Sequence, residues 1–109
     1  MQPEQQKDAN AIYQEIVAHI TKQTNQDGGK ASSWYVGIAK SQEQRLHTDH
    51  KVPKENHWFI IRKCANDTDA RAVEAALHKN HGCDGDIGGG DATTVLVYAY
   101  LKAAGVTDP

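Results

Sequence analysis

Five residues are of the kinds that phosphoryl and acid–base chemistry uses: Tyr35, Arg45, His50, Glu74 and Tyr98. Glu74 follows Ala70 by four residues and precedes Leu77 by three, which sets it on the border of an apolar helical stripe. A carboxylate there needs a cation, a hydrogen bond or water, because burying it unpaired is costly. It is either a metal ligand or site acid in a groove, or a half-exposed Glu paired with Arg71 or His78 on its own helix. Arg45 has the planar fork that suits phosphate recognition; the plainer reading is a surface arginine.

Tyr98 and Tyr100 are two residues apart, so in a strand they share one face of a sheet, and Tyr35 can join them. A phenol in a groove passes a proton or holds a phosphate oxygen. Against that, strand tyrosines commonly serve as core residues with the hydroxyl at the rim. His47 and His50 lie near Arg45, where a histidine suits a general base, although most surface histidines have no such role. The segment Gly82 to Asp91 holds three aspartates among glycines. It suits a hard cation or a flexible connector, and has neither the ending of a P-loop nor the spacing of an EF-hand.

The elements that must position these groups follow from periodicity and punctuation. Ile12, Ile16 and Ile20 recur every four residues, predicting a helix over 11–24 with Asn10 or Asp8 as N-cap. Ser33 to Ala39 is aromatic and β-branched and reads as a strand; Gly37 inside it marks a close approach to the backbone or a bend. Ser41-Gln42-Glu43-Gln44 has capping-box spacing, so a short helix carrying Arg45 begins there. Trp58 to Cys64 is the most apolar run and is expected to be the central strand. Asn66-Asp67-Thr68 caps a helix over 69–80, and Gly82 takes the left-handed position that ends it. Thr93 to Leu101 is the last strand. The order α-β-α-β-α-β predicts a small α+β domain, a sheet of about three strands with flanking helices. It spans 1–109, with 1–9 and 103–109 as flexible tails.

Composition narrows the class. A chain of 109 residues suits one domain, and the mean hydropathy of −0.68 suits a solvated globule. No apolar run spans a bilayer, and no opening segment reads as a signal peptide. A cytoplasmic protein with Cys64 and Cys83 as reduced thiols is therefore expected. The net charge of −2 gives no overall basic field, so nucleic acid as a partner must rely on local charge. Oligomeric state is not legible.

Together these residues resemble the GIY-YIG nuclease superfamily. Tyr35-Val36-Gly37-Ile38 is similar to the second half of the signature, and Ser41 to Leu46 to the segment that carries the family arginine. Trp58 to Arg62 stands for the next strand, and Ala70 to Glu74 for the helix with the family glutamate. The resemblance covers Trp34 to Leu77. It implies metal-assisted phosphodiester hydrolysis, with Tyr35 helping to activate water, Arg45 steadying the phosphate and Glu74 holding one Mg2+. His50 is a further helper. The first signature strand, Gly-Ile-Tyr, is missing upstream, and the last strand is expected to fill its place and supply Tyr98. The family histidine falls four residues after the arginine, where Asp49 stands, with His50 one further on. The late family asparagine has no clear counterpart. Two other readings stay open: an inactive relative that binds nucleic acid or protein, and an unrelated α+β protein whose Gly/Asp loop binds a ligand.

Overall fold

A computed structural model describes residues 9–27, 33–53, 55, 57–85, 93–103 and 105–107. Helix α1 (Ala9–Asp27) leads to strand β1 (Trp34–Ala39), a π-helix (Glu43–Asp49), β2 (Phe59–Lys63), α2 (Asp67–His81) and β3 (Leu96–Leu101). This is the expected α-β-α-β-α-β order. Asn10 lies inside α1 rather than capping it, and Asp8 is outside the described residues.

The three strands form one antiparallel sheet in the order β1-β3-β2. The expectation that Trp58 to Cys64 would be central is therefore corrected: β2 is an edge strand, and the last strand sits between the other two. The reason is visible in the side chains. Val97, Tyr98, Ala99 and Tyr100 are all buried, so β3 is covered on both faces, whereas β2 ends in Arg62 and exposed Lys63.

The alternation of each strand splits the sheet into two unlike faces. Trp34, Val36, Ile38, Ile60, Val97 and Ala99 point to one side. There Ile12, Ile16 and Ile20 of α1 and Ala70, Val73 and Leu77 of α2 complete an apolar core that also holds Cys64 and Cys83. Glu15 of α1 reaches Arg62 of β2 at 2.8 Å. The other face carries Tyr35, Tyr98 and Tyr100, with Ala39, Leu46 and Val52 beside them.

The caps behave as the local chemistry requires. The Asn66 side chain accepts a hydrogen bond from the Asp69 amide at 2.8 Å, and Gly82 takes the left-handed conformation, φ 71°, that closes α2. Beyond it, Asp84 hydrogen-bonds both ways with β1: Val36 N donates to Asp84 O and Asp84 N to Trp34 O, each at 2.8 Å. Lys102 pins the Asp84 carboxylate at 2.9 Å. Residues 82–85 are thus a short edge addition to β1 rather than a loose connector. Asp86 and Asp91 of the cation reading lie outside the described residues.

Candidate functional site

The tyrosine face is set by register. Tyr35 is paired with Tyr100, and Gly37 with Tyr98, so all four positions share one side of the sheet. The three rings stack, with centroids 5.3 Å apart for Tyr35 and Tyr100, 6.5 Å for Tyr35 and Tyr98, and 6.4 Å for Tyr98 and Tyr100. Gly37 is what admits this arrangement. A Cβ there would overlap the Tyr98 hydroxyl and lie 2.6 Å from its ring carbon Cζ, so the Tyr98 phenol occupies the space a side chain would fill. Of the two readings of Gly37, a close approach or a bend, the structure shows the close approach, and the approaching group is Tyr98.

The π-helix delivers His50. Ser41 Oγ accepts from the Gln44 amide at 3.3 Å, the near half of the capping box. The helix then continues with a wider step: His50 N donates to Arg45 O at 3.0 Å, a bond five residues long. In an α-helix the residue closing that ring on Arg45 would be Asp49. Here the extra residue is absorbed and His50 takes the position. Lys51, with φ 58°, turns the chain so that Val52 N donates back to Leu46 O at 3.0 Å and the segment folds onto the tyrosines.

His50 is 6% exposed and lies between two phenols: its Nε2 is 2.7 Å from the Tyr98 hydroxyl, and its Nδ1 is 3.2 Å from the Tyr100 hydroxyl. It is a buried member of a hydrogen-bonded cluster, not a surface histidine. His47 is held elsewhere, its Nδ1–H donating to Val52 O at 2.8 Å beneath Phe59.

Glu74 is 1% exposed. The half-exposed reading is corrected: Glu74 lies within the buried stripe of α2, while Arg71 reaches Asp67 at 3.2 Å and His78 Nδ1–H donates to Cys83 O at 2.7 Å. Burial is the main cause that raises the Tyr98 phenol well above its ordinary 10.0; Tyr35, Tyr100 and Glu74 push the same way, and Arg45 alone opposes them. The Tyr98 hydroxyl therefore stays protonated at neutral pH, and its chemistry is that of a hydrogen-bond donor and acceptor. Arg45 keeps its guanidinium 52% exposed and 3.6 Å from Asp49. Of the five residues it is the one that reaches solvent.

Three of the five thus meet: Tyr35 stacks on Tyr98 and His50 bonds its hydroxyl, whereas Glu74 lies in the buried stripe of α2 and Arg45 on the exposed side of the π-helix. Tyr100, the residue that completes the hold on His50, is legible in the sequence only as a second tyrosine on the same face. Among the described residues there is no group of three or more His, Cys, Asp and Glu able to cage a metal. No helix of the described residues is long and apolar enough to cross a membrane.

No family model, no curated protein and no solved structure matches this chain.

Proposed function

We propose that this domain is a GIY-YIG-like nuclease that hydrolyses phosphodiester bonds of nucleic acids with one divalent cation. The observation that supports it is the cluster of Tyr35, His50 and Tyr98 over a strand whose glycine makes room for the Tyr98 hydroxyl, with Arg45 exposed on the π-helix that delivers His50. Arg45, on the solvent side, takes the scissile phosphate through charge-assisted hydrogen bonds. Tyr35 and Tyr98 orient the attacking water, with His50 as helper. Glu74 holds the cation, and a bound magnesium supplies charge neutralisation at a phosphoryl oxygen. A cytoplasmic setting, in which the buried Cys64 and Cys83 stay reduced, belongs to the same reading.

The test is incubation with plasmid, single-stranded DNA and RNA in magnesium or manganese. Cleavage above a Glu74→Ala control is the expected result; none on any of the three substrates rejects the reading for nucleic acids.

One observation favours a second reading, an inactive relative that binds nucleic acid or protein. Tyr35, His50, Glu74 and Tyr98 are all covered, as a structural cluster would be. Titration of labelled oligonucleotides at low and high salt separates the versions, since phosphate-driven binding falls steeply with salt. Salt-sensitive binding without cleavage supports this second reading, and no binding at low salt removes its nucleic-acid form.

A further inference from the structure

A neutral imidazole carries one N–H, so of two hydroxyls bonded to its two nitrogens one must donate and the other accept. His50 is in that position, between Tyr98 at Nε2 and Tyr100 at Nδ1. The two contacts are unequal. The 2.7 Å contact to Tyr98 is the shorter and stronger and the 3.2 Å contact to Tyr100 the longer and weaker; the ring tautomer decides which oxygen donates. The ring is also fixed in angle: its centroid lies 4.7 Å from Tyr35, 5.5 Å from Tyr98 and 5.3 Å from Tyr100.

We infer that Tyr100 is a positioning residue: by accepting from Nδ1–H it leaves His50 Nε2 bare toward Tyr98, and so makes Tyr98 and His50 a two-step proton relay. This rests on the hydrolase reading above for its use, but not for its geometry. In the relay, an attacking water gives one proton to the Tyr98 oxygen while Tyr98 gives its own proton to His50 Nε2. The hydroxide forms the new P–O bond and the bond to the leaving oxygen breaks. The proton held on His50 then returns through Tyr98 to the leaving oxygen. Phosphodiester and water become phosphomonoester and alcohol, with no co-reactant. A relay suits this phenol because Tyr98 accepts a proton as it releases one and never stands as a phenolate, the form its burial opposes. Tyr100 has the role of the third group in a catalytic triad, which orients the imidazole and stabilises it when charged.

The experiment is 15N NMR of the full chain, reading which nitrogen of His50 is protonated. In the wild type, Nδ1 is expected to carry the proton and Nε2 to show the shift of a bare acceptor. Tyr100→Phe removes the acceptor with almost no change of shape and should move the tautomer toward Nε2–H. In single-turnover cleavage the same variant should lose rate on the order of tenfold at unchanged substrate affinity. A wild-type His50 protonated at Nε2, or a tautomer that Tyr100→Phe leaves alone, overturns the inference. If the wild type cleaves nothing, the hydrolase reading falls, while the wild-type tautomer still decides the role of Tyr100.

Discussion

The two faces of the same three strands are built on opposite principles. On the helix-covered face, Trp34, Val36, Ile38, Val97 and Ala99 pack against α1 and α2, and stability comes from apolar area removed from water. On the other face, Tyr35, Tyr98 and Tyr100 are as well buried but carry hydroxyls, and His50 is buried with them. Polar groups at such depth contribute only if every hydrogen bond is made, so this face is a conditional asset for folding. The contrast teaches where to look for function: one face holds the domain together, and the other buries polar groups that a purely structural sheet would replace with Leu and Val.

The largest effect on the apolar face should follow Trp34→Ala. Loss of this fully buried side chain should cost about 3–5 kcal/mol in denaturant unfolding, while cleavage per folded molecule stays near wild type. Arg45→Ala should do the reverse. Its exposed pair with Asp49 contributes about 0.3–0.5 kcal/mol at most, yet cleavage should fall on the order of 100-fold. Equal losses of stability and of cleavage in both variants would erase the distinction between the faces.

Gly37→Ala tests the contact that joins β1 to the site. Its Cβ must displace the Tyr98 ring, so a cost of about 1–3 kcal/mol is expected together with loss of the bond between Tyr98 and His50. A variant as stable as the wild type, with His50 resonances unmoved, would show that Tyr98 does not need that space. The smallest effect concerns His19, edge-on to Trp34 at 5.6 Å. Burial first, then the positive Arg62 and Lys22, hold its pKa below the ordinary 6.5. The native state therefore resists protonation: the contribution is complete above pH 6.5 and is lost as pH falls below it. His19→Gln should flatten the acid limb of the stability profile, and an unchanged limb would assign that slope to other groups.

Much of this was legible in the sequence. The two-residue spacing of Tyr98 and Tyr100 fixes a shared face, Gly37 announces a close approach, and Asn66 and Gly82 bound α2 by local chemistry alone. What was not legible depends on partners distant in the chain. The central place of β3 is a matter of long-range pairing, and an apolar run such as Trp58 to Cys64 looks alike at the edge or the middle of a sheet; Arg62 and Lys63 were the available hint. A capping box signals where a helix starts but not the length of its hydrogen-bonded step, so the π-helix that brings His50 into line with Arg45 could not be read. Glu74 sits on a stripe border, and its complete burial is decided by the groups packed over it rather than by its own helix.

The central claim is that the domain's buried polar groups serve reaction rather than folding, and Glu74→Gln tests it most directly. The substitution keeps shape and removes the negative charge, which costs free energy to bury. Thermal unfolding and single-turnover cleavage measured on the same preparation should show stability equal to or above wild type and cleavage reduced at least about 100-fold. Cleavage at the wild-type rate, or a loss of stability that accounts for the lost activity, would contradict it.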